Sequence, residues 1–120
     1  MWDNCAYAAK MILAILPVVI ASIRTGMAFD RILRIEYERY PTEWEKDGKP
    51  AGFSYDPIQT PFKRSSPMDR VFRKWLRTTP EWACHDPDAV RALRHLRSRW
   101  KITVACFFLM YFFVWGFLMR

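Results

Sequence analysis

The chain is 120 residues long, 52% apolar, 17% aromatic and 26% charged, with a formal net charge of +7. Its apolar residues concentrate in two blocks, Cys5–Ile23 and Ile102–Met119, in which Lys10 is the only charge, while the 77 residues 24–100 carry 16 basic and 11 acidic side chains. That middle is too short and too charged to enclose a large catalytic core, so the arithmetic argues against a soluble enzyme, a disulfide-stapled secreted domain and a disordered chain.

Each apolar block is long enough to cross about 30 Å of hydrocarbon at about 1.5 Å per residue. The sequence therefore predicts a two-span membrane protein, with span 1 over residues 1–25, a loop region over 26–100 and span 2 over 101–120. The first block lacks the basic start of a signal peptide, although Ala21-Ser22 mimics a cleavage site, and it reads as a span. Lys10 is expected to snorkel to the outer face rather than to relay protons or ions. Pro17 is expected to kink the helix. Ser22 and Gly26 have the small-xxx-small spacing that lets a partner helix approach. Beyond the span, Phe29, Ile32, Leu33, Tyr37 and Tyr40 recur at helical spacing, and nothing breaks the helix before Pro41. One helix of roughly 35 residues, about 50 Å long, is predicted.

Residues 41–48 read as a short helix, with Pro41 at its start, acids in the first turn and Gly48 to stop it. Pro50, Gly52, Pro57 and Pro61 make 49–65 a loop. Ser66, Pro67 and Asp69 form a helix start, followed by an apolar stripe of Met68, Val71, Phe72, Trp75 and Leu76. Asp86-Pro87-Asp88 opens the last helix, with Val90, Leu93, Leu96 and Trp100 on one side, and this helix runs into the Phe-rich second span. Trp100, Tyr111 and Trp115 suit interfacial or protein-facing positions.

The basic residues flanking the spans resist translocation, which places the loop in the cytoplasm and both termini outside. The fold class that follows is an all-α membrane protein. It is an antiparallel hairpin of two long transmembrane helices with cytoplasmic extensions and a short helical insertion in the loop. The stripes on 27–40, 68–76 and 90–100 are expected to form a small three-helix core at the membrane surface.

Chemistry is sparse. Cys84-His85 with His95 lacks zinc-ligand spacing and has no third group to orient a nucleophile, so neither a metal site nor a catalytic site is assigned. The three cysteines are expected to be free thiols. Asp86 and Asp88 read as helix-start acids. Neither span holds a His, which counts against a pigment-binding antenna polypeptide. The mixed acids and the lack of a recognition motif count against nucleic acid.

The layout of a span at each end and a basic helical loop is one of three features with a common reference. The second is Tyr40-Pro41-Thr42-Glu43-Trp44-Glu45-Lys46-Asp47-Gly48-Lys49-Pro50, which carries a P-x-x-W-x-x-x-G-x-P turn. The third is Val71-Phe72-Arg73-Lys74-Trp75-Leu76-Arg77, followed by His85-Asp86-Pro87-Asp88 and the basic run Arg91–Arg99. Together they resemble small proteobacterial inner-membrane proteins of the universal stress protein B type. The resemblance covers most of the chain and implies a stress-linked or accessory membrane role. It supplies no catalytic residues to carry over.

The functional expectation is a non-enzymatic accessory subunit, without cofactor, of a larger complex in the bacterial inner membrane. A self-associated form is compatible with it. Trp44, Phe72 and Trp75 are expected to serve cytoplasmic packing, and Ser22, Gly26, Trp100, Tyr111 and Trp115 intramembrane or interfacial contacts. The alternative is a self-contained stress-associated protein that binds anionic lipid headgroups through Arg91, Arg94 and Arg97. A mitochondrial inner-membrane subunit of similar architecture fits the same pattern.

Overall fold

The computed structural model describes residues 2–57 and 68–119. Every regular element among them is a helix: α1 (Trp2–Arg39), α2 (Pro41–Lys46), α3 (Met68–Arg77), α4 (Glu81–Cys84) and α5 (Pro87–Leu118). Both α1 and α5 are long and apolar enough to cross a membrane. Contacts divide the chain into two compact units. Unit 1 comprises Met1–Thr25 with Arg99–Arg120, and unit 2 comprises Gly26–Ser98.

The ends of α1 and α2 follow from proline chemistry. α1 runs for 38 residues with Pro17 inside it. It ends one residue before the position that Pro41 restricts, and Tyr40 takes φ −132° and ψ 59°, outside the α region that a following proline disfavours. Pro41 then starts α2, where its missing N–H costs nothing. Asp47 closes α2, and the chain turns through the left-handed region at Gly48 (φ 92°) and Lys49 (φ 56°). The predicted start at Ser66-Pro67 and residues 58–65 of the predicted loop lie outside the described residues. One element was not expected. Pro80 ends the stretch after α3 and opens the single turn of α4, so Cys84, read from sequence as loop, closes a short helix. The start of α5 agrees with its sequence signal, since Asp86 Oδ1 accepts the Asp88 and Ala89 amides at 3.0 and 3.4 Å.

The core of unit 2 is where the three predicted stripes meet. Phe29, Ile32 and Leu33 of α1 pack with Val71 and Trp75 of α3 and with Ala89, Leu93 and Leu96 of α5. Burying each large side chain of this set contributes about 1.5–3 kcal/mol. Trp75 is the centre of an aromatic cluster, its ring 5.2 Å from Phe29 and 6.2 Å from Trp82. Trp44 of α2 closes one side, its ring 4.8 Å from Tyr37 and its Nε1–H donating to the Pro50 carbonyl at 3.0 Å. Two departures from the predicted stripes matter. Trp100 belongs to unit 1 and is exposed, so it does not extend the α5 stripe of the core. Glu36, an acid, occupies a fully buried place on the α1 stripe.

Unit 1 has almost no interior. Val18, Ala21, Thr25 and Thr103 are its buried residues among those described. The Thr25 and Thr103 hydroxyls bond to each other at 2.8 Å, and they also reach the carbonyls of Ala21 and Arg99. Elsewhere Tyr7 packs edge-on against Phe117 at 4.3 Å.

Candidate functional site

The outer surface of unit 1 is the feature of the chain that most needs an explanation. Only 6% of the most apolar 18-residue stretch of each long helix is buried. Leu13, Leu109, Phe112 and Leu118 are each about two-thirds exposed or more. Water would oppose a contiguous apolar face of this extent, so the surface requires an apolar environment or a partner. Two grooves interrupt it. One, of about 500 Å³, is lined by Ser22, Trp100, Thr103, Val104, Phe107, Phe108 and Tyr111. The other, of about 360 Å³, runs along Leu13, Pro17, Cys106 and Phe113, with Lys10 at its edge. The Lys10 ammonium lies 5.9 Å from the centroid of the Phe117 ring, the ring that also meets Tyr7. Its charge is therefore placed on an aromatic face toward the N-terminal end of α1.

The residues singled out from sequence separate into three groups. Ser22, Trp100 and Tyr111 converge on the larger groove, and Trp115 stacks on Tyr111 at 6.2 Å. Arg91 and Arg94 are exposed on α5. The remaining residues are engaged within unit 2. Trp44 and Trp75 are 4% and 0% exposed and form part of the unit's own core, with Phe72 half-buried against them. Arg97 donates to the Trp75 carbonyl from Nε and Nη2 at 3.2 and 3.0 Å, and to Thr79. Gly26 faces the Phe53 ring, which a Cβ would approach to 2.9 Å, so its bare backbone serves an internal contact. Cys84, His85 and His95 are exposed, and Cys84 Sγ reaches the Pro80 carbonyl.

Asp86 ties α1 to the start of α5. Arg39 Nη1 donates to both of its oxygens at 3.1 and 3.0 Å, and the Tyr40 hydroxyl donates to Oδ2. Burial pushes the Asp86 carboxyl up. The Arg39 hydrogen bonds, the two α5 amides and the Arg39 charge outweigh it and hold the group below its ordinary value. Its folded pKa is therefore below its unfolded one. The stabilisation it provides is present above the ordinary carboxylate range and is lost as pH falls through the folded value. Asp88 only adds an exposed pair with Arg39 at 3.1 Å. Asp86→Ala is expected to cost about 1–2 kcal/mol through loss of the cap, and Asp88→Ala nearly nothing. Thermal unfolding of both variants at neutral pH and at pH 3 checks the difference, which should shrink in acid.

Sequence reasoning missed Glu36. It lies four residues beyond Ile32 and three beyond Leu33, so the spacing that marked the stripe also marked this position. Its charge led the pattern to be read around it. Both carboxyl oxygens are buried with no donor in reach. The neighbouring groups are Asp47 and Glu43 from the α2 segment and Lys74 from α3, with Lys74 Nζ 3.5 Å from Asp47 Oδ1. Burial, an acceptor at Asp47 and the negative charges of Asp47 and Glu43 push Glu36 up to about 9 against the pull of Lys74.

No protein-family model, no curated protein and no solved structure matches this chain.

Proposed function

We propose that the chain is a two-span integral protein of a bacterial inner membrane, a hairpin whose helices pack laterally against a larger membrane complex as a non-enzymatic accessory subunit. The exposed apolar surface of unit 1 carries this reading. A face that two helices leave uncovered on nearly every side suits lipid on one part and protein on another. The groove of Ser22, Trp100 and Tyr111, with aromatic side chains around a small residue, supports the protein-facing assignment. The basic residues of 24–100 favour a cytoplasmic loop with both termini outside. The stress-linked role implied by the universal stress protein B type resemblance belongs to the same proposal.

Carbonate-washed membranes, solubilised in mild detergent and separated under native conditions, test it. The protein is expected to stay with the membrane through carbonate and to migrate within a larger assembly. Release by carbonate ends the membrane reading, and migration alone as a monomer or self-oligomer ends the accessory reading.

A second reading, binding of anionic headgroups, is favoured by one observation. Arg91 and Arg94 are exposed and make no ion pair among the described residues. The full chain in micelles doped with anionic lipid is then expected to retain that lipid in a salt-sensitive way. Charge reversal at the two positions should weaken retention by about 1 kcal/mol or more at each.

A further inference from the structure

Unit 2 contains an arrangement that neither packing nor membrane insertion accounts for. Glu36 is fully buried on α1, and an ionised carboxylate there would have no donor to compensate its charge. Asp47, at the C-terminal end of α2, is partly buried and within interaction range of Glu36, while Lys74 of α3 supplies the ammonium 3.5 Å from Asp47 Oδ1. Two carboxyl groups and one ammonium leave one negative charge in excess. A proton on Glu36 removes it, because the protonated group can donate to the Asp47 carboxylate while Asp47 stays paired with Lys74. The other charged groups nearby act at the edge of this set. Glu43 of α2 adds repulsion and is itself paired with Lys46 at 3.3 Å, and Arg70 of α3 donates to the Asp47 backbone carbonyl at 3.3 Å.

We infer that Glu36 and Asp47 form a proton-binding site that fastens the α2 segment to α1 and α3, and that release of this proton to water at alkaline pH frees the segment. The site spans three elements, so the proton acts as the clasp among them. With the proton gone, the charge on fully buried Glu36 meets the like charge of Asp47, and the economical response is for residues 41–50 to lift and hydrate the carboxylate. The direction follows from linkage. The carboxyl holds its proton to about 9 when closed, and when opened it titrates in the ordinary carboxylate range near 4.3. Between those values opening releases a proton. The open fraction therefore rises by up to about tenfold per pH unit and levels off above the closed-state value.

Limited trypsin cleavage of the full chain in micelles tests the clasp, because Lys46 is exposed and its bond to Asp47 lies in the segment. Cleavage at this bond in the wild type, divided by cleavage in Glu36→Gln at the same pH, cancels the protease's own pH response. The ratio is expected to climb steeply from pH 7 to about 9 and then flatten. Infrared titration is the second measurement. The wild type should lose a carboxylic-acid C=O band over the same range, and Glu36→Gln should lack that band. In Asp47→Asn, which removes the repelling charge and leaves Lys74 to favour ionised Glu36, the band should disappear at lower pH. A flat cleavage ratio overturns the clasp. A band that titrates in the ordinary carboxylate range, or that survives in Glu36→Gln, overturns the proton site. Should Glu36→Gln fail to fold, the Asp47→Asn shift decides.

Discussion

Trp75→Ala is expected to cost about 3–5 kcal/mol of unit 2 stability, the upper range for removing a buried aromatic side chain. The size follows from its place. Trp75 is 0% exposed, holds Phe29 and Trp82 in ring contact, and sits where α1, α3 and α5 converge. An alanine would leave a void walled by three helices that cannot all close on it. For a unit of this size the midpoint of thermal unfolding should fall by more than about 10 °C. The Phe variant separates volume from polarity. The Trp75 indole N–H is buried without a hydrogen-bond partner, and an unmet donor is itself destabilising by about 1–3 kcal/mol. Trp75→Phe removes that defect along with part of the ring, so it should cost only about 1–2 kcal/mol. Near-ultraviolet circular dichroism during thermal melts reads both. If phenylalanine proves as damaging as alanine, the indole N–H has a partner that the packing account lacks.

The same cluster shows what local sequence can and cannot carry. Phe29, Ile32 and Leu33, then Val71 and Trp75, then Leu93 and Leu96 were legible as stripes, because a helix repeats every 3.6 residues and the buried face repeats with it. The break at Tyr40, the start at Pro41 and the cap at Asp86 were legible because proline and aspartate act through the backbone within one turn. The apolar face of unit 1 was legible in composition. What sequence concealed depends on pairs far apart in the chain. Glu36 sits on the stripe because a proton and Asp47 make its burial tolerable, and nothing within four residues of it says so. Arg97 reads as one of a row of surface cations, yet it donates to the Trp75 carbonyl 22 positions away. Trp44 and Trp75 are legible as packing side chains, but that the packing is the unit's own is not. A residue's exposure is a property of the fold around it, and for these three the fold decided against the surface.

Asp30 and Gly52 provide the second large effect. Asp30 lies within α1 and is 9% exposed. Its oxygens accept the Phe53 amide at 2.6 Å and, on Oδ2, the Ser54 amide and hydroxyl at 2.9 and 2.7 Å. One carboxylate thus holds the segment after α2 against the side of α1. Gly52 makes this approach possible. Its own amide donates to the Tyr55 carbonyl at 2.7 Å, and a Cβ added to it would collide with Asp30 Oδ1 and come within 3.1 Å of Leu33. The Asp30 carboxylate can turn away only by giving up its bonds to Phe53 and Ser54, and Leu33 is held by the core, so the latch opens either way and the segment lifts. Phe53 would then leave Gly26. Hydrogen bonds to a charged acceptor contribute about 1.5–3 kcal/mol each and are not additive, so Gly52→Ala is expected to cost about 2–4 kcal/mol. Asp30→Ala should cost a similar amount, because it strands the same donors. The double variant is the decisive measurement. Both changes undo one latch, so their combined cost in a denaturant or thermal titration should fall short of the sum by at least about 1 kcal/mol. Additive costs would mean that Gly52 is required for a reason other than the approach of Asp30.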